Sequence, residues 1–580
     1  MPRALPLLFL LGACRTTPAP APPSVGLEGV VAADHPLASE AGAAMLRAGG
    51  NAVDAAVAAA LVGGVVQPQS SGLGGGGFAL VVGSGHEPTF LDFREVAPAA
   101  ARADMFLDPG GAVIPERSEN GALAVAVPGE PRGLAALEKH YGRLGLQAVA
   151  APAARLAREG FPAGQALAMA AAEWHEEHGD ALFPLLFDGC AGPPVEGQVL
   201  RRSRLADSLE VWASSGGEAL NRGPLAERLA AGVQAGGGIL TTADLAGYAV
   251  RERPPLEGTY RGWTLLTAPP PSSGGLVILQ ALGVLEAWPP LGPDPLAPAD
   301  VHRTVEALKH GFADRARWMG DPDFVQVPVD RLLDPAHIAA LRVLVGATGT
   351  PPLEPTPDPT GVDCRTLPAE AYGLQLDPGT DAGTAHVSVL DGAGLAVSLT
   401  TTINTSFGSG VVDPATGLLW NDELDDFAAA PGVPNAYGLI GNERNAIAPG
   451  KRPLSSMSPT VVLDGTGTPL LVIGASGGPR IITGTLQVLR AVLESGLAPT
   501  DALALPRYHH QWSPDELQRE PEFSFDTSLC LAACGHAMGQ GSAASAVQVA
   551  LRTPDGRIVG ASDPRKGGVP AYASSPEPTP

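Results

Sequence analysis

The rhythm of apolar and polar positions changes several times along the chain. Val30 to Ala33 reads as a strand, and the following segment HPLASEAGAAMLRAGGNAVDAAVAAALVGG gives two helices separated by Gly49-Gly50. Asn51, with Asp54 three residues later, supplies a capping-box start for the second helix. The apolar run Ala55 to Val66 is twelve residues long, too short to span a bilayer, and reads as a buried helix. SSGLGGGGFALVV then passes from glycines into a strand; it lacks the Gly-Lys-Ser/Thr of a phosphate loop, so its glycines read as points of close backbone approach. From about Val125 to Val345 helical segments alternate with turns such as APPPSSGG. Residues 347 to 383 lose all periodicity and, being polar and rich in Pro, Gly and Asp, read as a linker.

Strands return at Thr384. TAHVSVL, the turn DGAG and LAVSLTTTI form a hairpin. With Leu390 facing Leu395, Thr384 lies opposite Thr401; a register one residue different puts Thr402 there, so the first strand residue faces one of these two hydroxyls. PLLVIGASGGPRIITGTLQVLRAVLESG reads as strand, glycine turn and helix, with Pro479 at the helix start and Ile482, Leu486, Leu489 and Leu493 on one face.

Composition supports a packed globular body: 45% hydrophobic, 17% charged, 73 glycines in 580 residues. The formal charge of −23 opposes a nucleic-acid or anionic-membrane partner, so any acidic ligand needs a local cation. At the N-terminus, MPRALPLLFLLGACRTTPAPAPP sets Arg3 before a short apolar stretch and a small-residue site, the grammar of an export signal over residues 1–13. Leu11-Gly12-Ala13-Cys14 resembles a lipoprotein cleavage box with Cys14 as the lipid acceptor, and residues 14–29 would be a Pro-rich tether. That places the protein in the periplasm or at the cell surface, touching the membrane only through the lipid. The remaining cysteines show no metal-ligand spacing; Cys530 and Cys534, one helical turn apart, read as small core residues, and a Cys190–Cys364 disulfide is open.

Two hydroxyls compete as nucleophile. Gly474-Ala475-Ser476-Gly477-Gly478 matches G-x-S-x-G between a strand and a helix, the setting of an α/β-hydrolase elbow. The acid and His expected downstream reduce to Asp515 and His536, and a hairpin and a linker precede Ser476 where alternating strands and helices belong. Gly477 and Gly478 serve better as backbone donors to an oxyanion at a helix N-terminus. The other candidate is Thr384 as a new chain terminus: cutting after Gly383 frees an α-amine, of ordinary pKa near 7.7 to 8.0, beside the threonine's own hydroxyl, where it can accept that proton.

At these residues the chain resembles the γ-glutamyltranspeptidases of the N-terminal nucleophile hydrolase superfamily, through ordered blocks including GGNAVDAAVA, GLGGGGF, DFREVAPAA, TTINTSFGSG, NDELDDF, KRPLSSMSPT, GASGGPRIIT and GASDP between about Val30 and Tyr572. The resemblance implies an α+β, four-layer αββα sandwich, cut into a large subunit (30–383) and a small catalytic one (384–580), with no cofactor and no metal. It implies Thr384 as autoprocessing residue and nucleophile, Thr402 as its hydroxyl partner, and Gly477 and Gly478 as oxyanion donors. Arg94 with Ser455 and Ser456 would hold the substrate α-carboxylate, and Asn404, Glu423 and Asp426 its α-amino group. Tyr437 would wall the pocket from a lid loop, which favours small γ-glutamyl compounds such as glutathione, with amino acids or peptides as acceptors. Acylase or poly-γ-glutamate chemistry within the same family, and a non-catalytic γ-glutamyl-binding lipoprotein, are the alternatives.

Each residue has a plainer reading. Arg94 beside Glu95 could be a surface ion pair, and Asp422, Glu423, Asp425 and Asp426 a solvated acidic face or a cation site. His386 and the pair His509-His510 read as structural. The chain also departs from the family pattern. Ala385 replaces a second hydroxyl, which would slow self-cleavage, and Asp422 replaces an Asn, which would add negative charge beside the amine site.

Overall fold

The computed structural model describes residues 28–83, 85–346, 382–539 and 543–573. Cys14, the tether up to residue 27, Cys364 and the linker from 347 to 381 lie outside these residues.

The first strand, β1 (Gly29–Ala33), leads into α1 (Pro36–Arg47) and α2 (Ala52–Val66). The capping box forms: Asn51 Oδ1 accepts from the Val53 and Asp54 amides, and Asp54 Oδ2 accepts from the Asn51 amide at 2.7 Å. Every residue of α2 is buried, as an all-round apolar helix requires. Next come β2 (Gly76–Gly83), β3 (His86–Phe93), β4 (Arg251–Arg253), β5 (Leu256–Tyr260) and β6 (Trp263–Thr267), then α3 (Gly274–Leu285) and α4 (Pro298–Trp318). After the linker follow β7 (Ala382–Asp391), β8 (Ala396–Thr405), β9 (Thr460–Leu463), β10 (Pro469–Ser476), α5 (Arg480–Leu493), α6 (Phe525–Ala533), β11 (Ala546–Arg552), β12 (Ile558–Ser562) and β13 (Ala571–Tyr572).

These strands make two antiparallel sheets, one in the order β13-β1-β7-β8-β2-β3-β4 and one in the order β12-β11-β10-β9-β6-β5. The period of two sorts their side chains. Val31, Ala79, Val81, Val387, Val389, Val397 and Leu399 pack with α1 and α2 in one core, while Val30, Phe78, Leu80, Leu390 and Ala396 turn to the second sheet, whose Val461, Val472, Ile473 and Val549 share a core with α3, α4 and α5. The result is helices, sheet, sheet, helices. Hydroxyls bridge the sheets: Ser398 Oγ donates to the Ile473 carbonyl and Ser388 Oγ to that of Gln548, both at 3.0 Å. His386 sits in this seam, fully buried, bonded to Thr400 Oγ1 at 2.8 Å and Ser388 Oγ at 3.1 Å; burial drops its pKa to about 3, so it is a neutral structural imidazole.

Three details differ from the sequence expectations. Leu390 pairs with Ala396, not Leu395, because the hairpin loop is the three residues Gly392 to Gly394 rather than four: the Asp391 amide donates to the Leu395 carbonyl at 3.0 Å, and Gly394 takes the left-handed conformation this loop needs. The strand carrying Thr384 begins at Ala382, so the Gly383–Thr384 bond lies inside it. Cys530 and Cys534 are exposed, since α6 buries Thr527, Ser528 and Leu531 instead. Cys190 is buried, its thiol donating to the Gly192 carbonyl at 3.1 Å. Among the described residues no helix is long and apolar enough to cross a membrane.

Candidate active site

The hairpin register places Thr402 opposite Thr384, resolving the Thr401/Thr402 alternative. Beyond Thr402 the pairing slips by one residue, so that Asn404, in a left-handed conformation (φ 77°), pairs with Gly383. This bulge leaves Thr402 Oγ1 facing three groups: Thr384 Oγ1 at 3.0 Å, the Gly383 carbonyl at 2.7 Å and the Asn404 amide at 2.9 Å. A hydroxyl has one proton and two lone pairs. The carbonyl takes the proton and the amide donates to one lone pair, so the Thr384 hydroxyl donates to the other. Thr402 thus pulls on the Thr384 proton and polarises the carbonyl of the bond before it.

Close backbone packing makes this possible. A side chain on Gly383 would stand 1.9 Å from the Thr405 carbonyl, and one on Gly75 would stand 1.9 Å from the carbonyl of Thr402 itself. The glycine run therefore lets its segment lie against β8, the strand of Thr402, as its sequence suggested.

Thr384, Thr402, Asn404, Arg94, Glu423, Asp426, Tyr437, Ser455, Ser456 and Gly478 line one cleft. These expected residues are thereby gathered from widely separated segments, whereas Gly477 lines a neighbouring pocket with Ser476 and Lys566. Arg94, just past β3, is 1% exposed and so is no surface ion pair. Its guanidinium bonds the carboxylates of Glu423 and Asp426, with Glu95 at 3.7 Å and the Pro453 carbonyl at 3.3 Å. Burial alone would weaken its hold on the proton, but the surrounding carboxylates outweigh burial and keep it charged. The same burial pushes Glu95, Glu423 and Asp426 upward, partly offset by Arg94. Asn404 Nδ2 donates to the Asp422 carbonyl at 3.2 Å.

Asp422 is sealed beneath the cleft rather than solvated. Its carboxyl is fully buried, takes the Thr405 amide at 3.0 Å and meets Thr405 Oγ1 at 2.6 Å. Burial pushes it well above the ordinary carboxylate range, toward the protonated form, in which it presents one acceptor and one donor as an Asn would. Burial thus works against the negative charge that substitution for Asn suggested.

Tyr437 closes the cleft. Its hydroxyl donates to the Asn404 carbonyl, and its ring lies so close to Gly478 that a Cβ there would be 2.9 Å from the ring. The surrounding segment is tied to the acidic cluster by Asn435 Nδ2 to Asp426 Oδ1 at 3.0 Å and by the Ala436 amide to Asp425 Oδ2 at 2.9 Å. Gly477 and Gly478 both have positive φ (128° and 57°) between β10 and α5, the turn that aims a helix N-terminus at the cleft. Ser456 lines the cleft, while Ser455 Oγ accepts from the Met457 amide at 3.1 Å.

Ser476 is not built as an elbow nucleophile: it is fully buried and its hydroxyl donates to Asp34 Oδ2 at 3.2 Å, a carboxylate in place of an imidazole. His536 bonds His302 at 2.8 Å instead. His509 and His510 also go separate ways, to Thr483 at 3.0 Å and Asp515 at 3.1 Å. One neighbour of Thr384 was missed. Lys566 Nζ donates to the Thr384 carbonyl at 2.8 Å and to Ser70 Oγ at 3.2 Å. It stands three residues past Asp563 in the GASDP block, so proximity to a recognised block was the only available signal.

The chain is similar to known proteins over most of its length. The sequence model of the gamma-glutamyltranspeptidase family matches residues 38–573. The chain is 40% identical over 578 residues to the glutathione hydrolase proenzyme of Escherichia coli (strain K12), covering 96% of each. It is 38% identical to that of Pseudomonas sp. (strain A14), over 93% of this chain and 92% of the relative. Among solved structures it is similar to cephalosporin acylase from Bacillus halodurans (TM-score 0.80, 30% identity, 97% of this chain and 99% of that one). It is also similar to Helicobacter pylori gamma-glutamyltranspeptidase (TM-score 0.52, 38% identity, 54% and 90%).

Proposed function

The chain belongs to the γ-glutamyltranspeptidase family, with the N-terminal nucleophile hydrolase fold, and from that premise we propose that it cuts itself between Gly383 and Thr384 and then transfers γ-glutamyl groups from glutathione-like donors to water, amino acids or peptides. The observation that carries this reading is the contact of Thr402 Oγ1 with both Thr384 Oγ1 and the Gly383 carbonyl.

In the uncut chain Thr384 Oγ1 attacks the Gly383 carbonyl carbon. The C–N bond breaks, the nitrogen takes a proton, and a Gly383 ester on Thr384 results. Water hydrolyses that ester, leaving a Gly383 carboxylate and a free Thr384 α-amine. That amine is the base for the second reaction. It takes the Thr384 hydroxyl proton as the oxygen attacks the donor's γ-carbonyl, and returns it to the leaving amine. A γ-glutamyl ester remains, to be resolved by water or an acceptor amine. Gly477 and Gly478 support the oxyanion in both halves. Arg94 meets the donor's α-carboxylate, with Ser455 and Ser456, while Glu423, Asp426 and Asn404 receive its α-ammonium. In the uncut chain these opposite charges satisfy one another, so a zwitterionic head exchanges one set of ion pairs for another.

The Tyr437 segment narrows the cleft and favours small donors over acyl-cephalosporins or poly-γ-glutamate. Denaturing electrophoresis with N-terminal sequencing, paired with a γ-glutamyl-anilide assay, tests the proposal: two fragments, the smaller beginning at Thr384, and turnover of the anilide are expected. An uncut, inactive chain would overturn it, and turnover of an acyl-cephalosporin alone would move the substrate assignment to the acylases. Export and lipid anchoring at Cys14 belong to the same reading, and rest on the Leu11 to Cys14 box. Cys14→Ser should shift the protein from the membrane to the soluble fraction; a wild type already soluble would remove the anchor.

A further inference from the structure

His302 and Glu306 lie four residues apart on α4, so their side chains rise from one face of the helix. His536 reaches them from the segment after α6. His302 Nδ1 and His536 Nε2 are 2.8 Å apart, the other ring nitrogen of His536 is 3.8 Å from Glu306 Oε1, and one donor atom from each residue falls within 4.8 Å of the other two. Glu306 is fully buried, yet neither of its carboxylate oxygens accepts a hydrogen bond. Buried carboxylates persist when a cation faces them. Lys309 Nζ stands 3.6 Å from Glu306 Oε1, but its nearer partner is Asp515 Oδ1 at 3.0 Å, so its charge is shared.

We propose that His302, Glu306 and His536 form a binding site for a divalent transition cation, with Zn²⁺ the best fit. Two imidazoles and a carboxylate are a donor set that zinc accepts, leaving a fourth position for water. Zinc with bonds of about 2.0–2.1 Å holds tetrahedral ligands about 3.3 Å apart, and one donor atom from each of the three residues already lies within 4.8 Å of the others, so small side-chain rotations close the ligand set. The contact between the imidazoles already requires one ring nitrogen to offer a lone pair. Moving the donor's proton to its other nitrogen frees the second, with no change in charge. His302 is partly exposed and provides the path of entry.

The site has a consequence for assembly, and this consequence alone rests on the proposed self-cleavage. His302 and Glu306 precede Thr384 and His536 follows it, so an ion here ties the large fragment to the small one, away from the cleft.

The test uses the untagged full-length protein, stripped with EDTA and dialysed. Titration with Zn²⁺ against a chromophoric chelator should show one bound equivalent, with affinity reduced tenfold or more in His302→Ala, His536→Ala and Glu306→Gln. Zn²⁺ should raise the melting temperature of the wild type but not of the variants, and Co²⁺ should give the visible bands of a four-coordinate ion. Far-UV circular dichroism certifies that each variant folds; the partly exposed His302 and the isosteric Glu306→Gln keep at least two variants informative. Absence of a stoichiometric equivalent in the wild type, or undiminished binding in folded variants, overturns the site. Electrophoresis reads self-cleavage separately: an uncut chain that binds Zn²⁺ keeps the site and loses the processing, and a cut chain that does not bind does the reverse.

Discussion

The two ends of the cleft are built on opposite principles. At one end two threonines on adjacent strands meet through neutral hydroxyls, and the whole arrangement comes from one hairpin of about twenty residues. At the other end Arg94, Glu423 and Asp426 bring full charges out of water, and they come from segments more than three hundred residues apart. The neutral end depends on register, because shifting a strand by one residue would turn the hydroxyl to the other face. The charged end depends on mutual compensation, because any one of its members left alone would be a buried, unpaired ion. Bond-making can therefore be separated from recognition by mutation.

The sharpest separation is Thr384→Ala, which should give a single uncut chain with no detectable γ-glutamyl turnover, since one side chain serves both reactions. Efficient cutting by this variant, read on a denaturing gel, would dissolve the neutral end as the seat of chemistry. Next is Arg94→Ala. Truncating one partner of a buried charge pair typically costs about 2 to 5 kcal/mol, so kcat/KM on γ-glutamyl substrates should fall by about two decades or more at about 1.4 kcal/mol per decade. The chain should still be cut, because the hydrogen bonds joining Thr402, Gly383 and Thr384 do not involve Arg94. It should also melt earlier, since Glu423 and Asp426 lose their cation. Near-normal kcat/KM would reduce Arg94 to a structural counter-ion.

A smaller effect is expected from Thr402→Val, which keeps the strand's shape but removes a hydroxyl making three hydrogen bonds. With about 1 kcal/mol for a typical neutral bond, pulse-chase processing should slow by about tenfold or more; unaltered cutting would show that the bulge, not the hydroxyl, positions the bond. The smallest effect belongs to Asp422→Asn. The Asn can accept from the Thr405 amide and donate to its hydroxyl, so kcat/KM should change less than about twofold. Stability should respond to pH. A carboxyl raised in the folded chain ionises near its ordinary value of about 3.9 when unfolded, so wild-type stability falls as pH rises above that value. The variant's melting temperature should exceed the wild type's by a margin that grows from pH 5 to pH 8. A margin that stays flat from pH 5 to pH 8 would mean that Asp422 is already charged in the native state.

Much of the neutral end was legible in advance because hairpins are local: alternation located β7 and β8 and limited the partner of Thr384 to two residues. The last step depended on the loop, where Gly394 makes a three-residue connection and moves the register by one. The composition of the glycine run predicts close packing, but the carbonyl it approaches is decided by β2 lying beside β8. Cys530 and Cys534 are exposed against expectation, because helical spacing says that two residues share a face without saying whether that face is buried. Lys566 had no local signature, since a lysine in a polar turn looks like any solvated cation.

The sequence by itself determined the strands and helices, the hairpin and its candidate hydroxyls, the charge types needed for a zwitterionic head, and, through its ordered blocks, the family. These follow from periodicity, turn chemistry and motif order, which are properties of neighbours along the chain. Only the tertiary structure decided that Thr402 and not Thr401 faces Thr384, that Arg94 is buried among carboxylates, that Asp422 is pushed toward its protonated form, and that Ser476 is sealed against Asp34. Those outcomes depend on burial and on partners hundreds of residues away, because the energy of a charge or a hydroxyl is set by what replaces its water.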